Sequence, residues 1–214
     1  MDEEITIINE KTRNEKIKSF LIDNRKLLIS IIALFILIVL SFYSYQIYKN
    51  SQRERVSDSY NNAVIDYNIS NSSEIIVSMK KIIMDKDSTY SPLALYFLID
   101  NNLIKNQNEV NELFDVVIKK TSLEKEIKNL IIYKKALFNA DYVNENELLE
   151  ILNPIINSKS VWKSHALYLI AEYFYSKNEK QKSKEFFEQI LLTENANIDL
   201  IKEAQKRLKR DLGE

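Results

Sequence analysis

Between Lys26 and Lys49 the chain carries no charge: the 22 residues from Leu27 to Tyr48, beginning LLISIIALFILIVL, are apolar or neutral. As a helix rising ~1.5 Å per residue, such a run reaches about 33 Å, enough for the roughly 30 Å hydrocarbon core of a bilayer. Lipid offers the backbone no hydrogen-bond partners, so a single run of this kind must be helical. A core helix of a soluble protein seldom runs this far without a polar stripe. The run is also longer than the ~7 to 15 residues of a secretory signal core, and no A-x-A-like cleavage site follows it. The sequence therefore predicts a retained transmembrane helix over 27–48, in contact with membrane lipid, preceded by an arm (1–26) and followed by a larger domain (49–214).

The distribution of basic residues predicts which side each part occupies. Lys11, Arg13, Lys16, Lys18, Arg25 and Lys26 precede the span, whereas only Lys49, Arg53 and Arg55 fall in the twenty residues after it. The excess of Lys and Arg marks the cytoplasmic side, so the arm is expected in the cytoplasm and, in a bacterium, the domain in the periplasm. Phe42, Tyr43, Tyr45 and Tyr48 gather at the far end, where amphipathic rings suit the interface. The span itself holds no Asp, Glu, Lys, Arg or His, so it reads as an anchor and not an ion or proton pathway. It also lacks G-x-x-x-G, which leaves no sequence ground for dimerisation through this helix.

Composition removes most chemistry. The chain has no Cys, one His (His165), one Gly (Gly213) and two Pro, and its 30 Lys and Arg nearly balance 31 Asp and Glu. Without internal glycine it cannot build a glycine-rich phosphate loop or a dinucleotide fingerprint. Without cysteine or paired histidines it offers no thiolate nucleophile and no zinc motif, and no cofactor or metal is expected. The net charge of -1 argues against nucleic acid as a partner. Carboxylate pairs such as Glu147 and Glu150 read as a solvated helix face, and the chain is not expected to be an enzyme.

Beyond the span, apolar residues recur at helical spacing, separated by clusters such as NISNSS, NQNE, NADYVNEN and SKNEK in which Asn takes the loop role of glycine. Helices are predicted over 50–69, 73–85, 91–105, 108–120, 122–139, 144–157, 160–177, 180–193 and 197–212. The first is able to continue the membrane helix without a break. Ser91, ahead of Pro92, and Ser122 mark two expected helix starts. Short loops imply antiparallel neighbours, and the spacing of Ala136, Ala171 and Ala204, at 35 and 33 residues, approaches the ~34-residue period of tetratricopeptide arrays. The expected fold is all-α: one transmembrane helix, then an α-solenoid of antiparallel helical hairpins.

The segment Ser164 to Asn197 carries the pattern best. Its first helix places Leu167, Ile170, Ala171 and Phe174 on one stripe, and its second places Ser183, Phe187 and Ile190 on another. That order resembles a tetratricopeptide repeat, with Leu167 at the usual tryptophan position, Ala171 at the glycine, Ser183 and Ile190 at later alanines, and Asn195 at the terminal proline. The helix 197–212 is then a capping helix whose Lys202, Lys206, Arg207, Lys209 and Arg210 give it a soluble outer face.

With its charged arm IINEKTRNEKIKSFLIDNRK, one span, an aromatic exit and about 165 residues of degenerate hairpins, the whole chain resembles the YfgM-like inner-membrane family of bacteria. The stretch ELLEILNPIINSKSVWKSHALYLIAEYFYSKNEK, followed by SKEFFEQIL, is similar to the C-terminal half of its alphaproteobacterial members. The resemblance implies association with the Sec translocon and periplasmic chaperones, and a chaperone-like role towards exported proteins.

On the first helix of the best repeat, His165, Tyr168, Glu172 and Tyr175 fall at i, i+3, i+7 and i+10, beside the packing stripe. In stacked hairpins this face lines the concave surface, so these four are the expected peptide- or partner-binding residues. Read without a ligand, they are half-buried tyrosines, a solvated glutamate and a histidine at a helix start. Val161 and Trp162 are expected to pack back on Ile155 and Ile156. Two functions remain open: an interaction scaffold for proteins or peptides, or a structural envelope element whose tethered helical bundle serves self-assembly or spacing.

Overall fold

The computed structural model describes residues 15–16, 18–68 and 71–213. Lys11 and Arg13 of the expected arm, and Ile69 at the end of the first expected domain helix, lie outside the described residues. All regular structure among the described residues is helical. The chain forms two compact units that meet in sequence at Arg55 and Val56.

In the first unit, residues 18–23 are helical and α1 (Arg25–Asp66) then runs for 42 residues without interruption. The sequence KNSQRERV after Tyr48 contains no Gly or Pro, so nothing ends the helix where its apolar part stops. Its most apolar stretch is long enough to cross a membrane, and none of it is buried. Ile32, Phe35 and Leu37 are 59%, 65% and 61% exposed. Even the hydroxyl of Ser30 is satisfied within the helix, donating to the Lys26 carbonyl at 3.0 Å.

The second unit begins with the last turns of α1 and continues through α2 (Ser72–Met84), α3 (Tyr90–Asp100), α4 (Gln107–Lys120), α5 (Lys125–Asn139), α6 (Glu145–Ile156), α7 (Lys163–Ser176), α8 (Lys180–Leu191) and α9 (Ile198–Asp211). From α2 onward each helix contacts the next, and α5 also contacts α7, as α7 does α9. Ala136, Ala171 and Ala204 are all fully buried, as are Phe114, Phe174 and Phe187. The small residues let helix axes approach, and the rings fill the space between hairpins.

Asparagine organises the loops, as the lack of glycine demands. Asn102, Asn178 and Asn195 adopt left-handed backbone angles (φ 52°, 61° and 59°). At Asn102 and Asn178 the helix closes with paired bonds: Leu103 N–H to the Leu98 carbonyl and Asn102 N–H to Ile99, then Glu179 N–H to Phe174 and Asn178 N–H to Tyr175. This stop ends α3 at Asp100, five residues before the expected 105. Asn106, Asn144 and Asn197 instead cap helix starts, and Asn144 with Glu147 forms a reciprocal capping box. Glu147 thus has a local backbone role.

Two expected starts differ. Ser122 is exposed and α5 begins after Glu124, without a side-chain cap. Ser91 lies inside α3, buried, its hydroxyl donating to the Ile82 carbonyl at 2.9 Å, while Asp87 Oδ1 accepts the N–H groups of Thr89 and Tyr90. A buried polar pair also ties α4 to α5. Asn139, 2% exposed, exchanges amide hydrogen bonds with Asn111 at 2.8 and 2.9 Å, and accepts a third from Gln107 at 3.1 Å.

Candidate binding surface

Three of the four pairs of successive odd-numbered helices are joined by hydrogen bonds at a nearly constant offset. Ser57 on α1 donates to the Tyr90 hydroxyl of α3, 33 residues on, at 2.7 Å. Glu126, the second residue of α5, accepts from Ser160 Oγ (2.7 Å) and Val161 N–H (3.2 Å) at the start of α7, offsets of 34 and 35. Ser164, the second residue of α7, accepts from the N–H of Asn197, the cap of α9, at 3.2 Å and an offset of 33. Equivalent positions therefore meet along the chain, and the odd helices present neighbouring faces.

Of the four expected surface residues, three come together on α7. Glu172 receives two hydrogen bonds from Arg207 of α9, from Nε and Nη2, both at 2.8 Å. The guanidinium lies over the Tyr175 ring, 4.2 Å from its centroid. Tyr168 packs edge-on against Phe187 with centroids 5.5 Å apart. Burial, joined by the adjacent Glu172 carboxylate, pushes the Tyr168 phenol up to about 12, so it stays a hydrogen-bond donor at neutral pH.

Arg207 is the residue that sequence reasoning placed on the wrong face. Only 11% of its side chain is exposed. It turns inward because Glu172, Tyr175 and Asp211 together surround its charge. Desolvation opposes that charge, but Glu172 and Asp211 outweigh it and raise the Arg207 pKa. Asp211 is held down at about 2, chiefly by its hydrogen bonds from Arg210, with Arg207 adding to the effect. The signal was present in the sequence: Glu172 and Arg207 stand 35 residues apart, one repeat length.

His165 stands apart from these three. Its ring meets Trp162 at 5.1 Å and Tyr133 of α5 at 5.9 Å, centroid to centroid, and Trp162 stacks on Tyr133 at 6.0 Å. Its Nδ1 is buried without a hydrogen-bond partner. Desolvation lowers the His165 pKa, opposed in part by the Val161 carbonyl. Trp162 is half-buried against Tyr133 of the preceding odd helix, and Val161 is exposed, 60% accessible. A cleft of about 230 Å³ lies beside this group, bordered by Val161, Trp162, His165, Asn195 and Asn197.

The even helices are linked by charge. Lys182 of α8 donates to both oxygens of Glu145 on α6, at 3.0 and 2.8 Å, and pairs with Glu179 at 2.8 Å. Among the described residues, no three His, Asp or Glu converge as a metal site would require. On the odd face the carboxylate of Glu172, the guanidinium of Arg207 and the ring of Tyr175 engage one another. Comparison with protein-family models, with curated proteins and with solved structures finds no match.

Proposed function

We propose that this chain is a membrane-anchored, tetratricopeptide-like interaction scaffold of the YfgM-like kind, with α1 spanning the bacterial inner membrane and the helical domain in the periplasm. It binds proteins or peptides on the face of its odd helices, in association with the Sec translocon and in a chaperone-like role towards exported chains. The observation that carries this reading is the repeated offset of 33 to 35 residues between bonded odd helices. Helices stacked in that way form one extended face, and such faces bind through area without needing a catalytic group. Buried Leu167, Ala171, Ser183 and Ile190, at the positions where the repeat pattern expects packing residues, support the same reading.

One observation favours the structural alternative. Arg207 already engages Glu172 and Tyr175, so at this end of the domain the expected binding groups serve to hold α9. Photo-crosslinkers placed at Tyr168 and Tyr175 in intact cells separate the two. The scaffold reading expects adducts with translocon subunits, chaperones or exported chains, and recovery of self-contacts alone would favour an envelope spacer. A C-terminal reporter active only outside the cytoplasm tests the orientation, and a cytoplasmic signal would reverse it.

A further inference from the structure

Stacking of the odd helices gives the second unit two unlike ends. The chain enters that unit at Val56, on the last turns of α1. Ser57 meets Tyr90 at the start of α3, whereas Tyr67, just past the end of α1, meets Phe97 later in α3, with ring centroids 5.2 Å apart. Tyr96 and Lys134, each past the midpoint of its helix, carry the same direction from α3 to α5. Glu126 at the start of α5 meets Ser160 just ahead of α7, and Ser164 near the start of α7 meets Asn197 at the cap of α9. One end of the unit therefore holds both the entry of the chain and the starts of the odd helices. Only residues 49–55 separate the expected span from Val56, and as helix they rise about 10 Å.

That end leaves apolar side chains in water. Val161 in the α6–α7 loop is 60% exposed, and Leu192 and Ile198, which flank the α8–α9 loop, are 86% and 69% exposed. At the other end of the same hairpin, the α7–α8 loop from Lys177 to Glu179 is wholly polar. The α6–α7 and α8–α9 loops are neighbours across a cleft of about 390 Å³, with Lys159, Val161 and Lys163 on one side and Thr193, Glu194 and Asn195 on the other. No ion pair joins Lys159, Lys163 or Glu194 to another described residue, and Asp199 is paired with Lys202 at 3.7 Å. Two ammonium groups thus face one unpaired carboxylate at this corner. Exposed aliphatic tips beside unpaired lysines match a bilayer surface, where the tips reach the apolar boundary and the ammonium groups meet phosphates. The short tether holds this end near lipid at high effective concentration, so a weak surface contact is enough.

We infer that the α6–α7 and α8–α9 loops dock on the surface of the bilayer that holds α1, with Val161, Leu192 and Ile198 at the apolar boundary and Lys159 and Lys163 on anionic lipid headgroups. The inference rests on α1 spanning the membrane, and it adds a second, reversible lipid contact made by the helical unit itself.

The test places the full chain, one per disc, in nanodiscs of neutral phosphatidylcholine with or without anionic phosphatidylglycerol. Ile, Leu and Val methyl groups are labelled, and a spin label sits on the lipid headgroups. In anionic discs the Val161, Leu192 and Ile198 signals should be lost to paramagnetic broadening, while Leu103 and Val143, in loops of the opposite end, stay sharp. Lys163→Ala should lower the ratio of docked to undocked unit about fivefold in anionic discs and leave it unchanged in neutral ones. Leu192→Ser, at an exposed position, should lower it about tenfold in both. A chain that does not enter the discs would overturn the spanning reading and this proposal together. A chain that enters them with Leu192 and Ile198 sharp would overturn this proposal alone and assign those side chains to a protein partner. Equal broadening at Leu103 and Val143, or an equal effect of Lys163→Ala in neutral and anionic discs, would also overturn it.

Discussion

Replacing Arg207 by alanine should release α9 while the rest of the domain stays folded. The side chain is only 11% exposed and makes two hydrogen bonds of 2.8 Å to Glu172, a carboxylate that is 35% exposed. Losing one partner of a buried pair costs about 3–5 kcal/mol and of a surface pair about 0–1, so this half-buried pair is worth about 2 kcal/mol. Loss of the cation–π contact with Tyr175 and of the alkyl packing adds about 1 kcal/mol. A total of about 3 kcal/mol corresponds to roughly 150-fold more frequent opening. Hydrogen exchange on the full-length chain reads this directly: amides of Leu200 to Leu208 should exchange about 100-fold faster, with those of α5 unchanged. Glu172→Gln should reproduce most of the effect, and the double variant should be little worse than Arg207→Ala alone. Unchanged exchange in α9, or additive effects in the double variant, would refute the assignment of Arg207 as its clasp.

Other elements make separate predictions. Asn139→Leu should lower the thermal midpoint, because it leaves Asn111 and Gln107 without their buried partner at a cost of about 1–3 kcal/mol; Asn111→Leu with Asn139→Leu should recover much of that, and a double variant as poor as the sum of the singles would contradict the account. Asn178→Ala should cost about 1 kcal/mol because φ is 61° there, whereas Asn178→Gly should be neutral or better by the same melting measurement. His165 is held neutral by burial, with its folded pKa below the unfolded value. Its contribution is therefore complete above about pH 6.5 and is lost as pH falls through the folded value. Stability should decline as pH falls below about 6.5, and His165→Gln should flatten that decline; an identical slope in the variant would show that another group is responsible.

Much of the helical order was legible in the sequence because two signals coincided. Apolar periodicity gave each helix its inward stripe, and asparagine clusters fell where the chain needed left-handed or capping residues in the absence of glycine. The end of α3 was misplaced because LIDNNLIKNQ remains apolar on one side past Asn102, and only the backbone angle at Asn102 ends the helix. Ser91 and Ser122 misled for a related reason. Serine at a plausible cap position does not reveal whether its hydroxyl meets the helix's own N–H groups or, as with Ser91, a neighbour's carbonyl.

The candidate surface was only partly legible. Local spacing on α7 correctly brought Tyr168, Glu172 and Tyr175 to one region, but it contains no information about which residue of another helix faces them. That information resided in the repeat offset, which links Glu172 to Arg207 at 35 residues and, at 32, Tyr133 to His165.

The most direct test of the account concerns α1. Its apolar stretch is uncovered, so in an aqueous setting it would leave large hydrophobic side chains in water along its length. Full-length protein made in bacterial cells should remain with the membrane pellet after washing with alkaline carbonate, and should enter solution only with detergent. Recovery of the intact chain in the carbonate supernatant would contradict a spanning helix, and with it the tethering on which the proposed function depends.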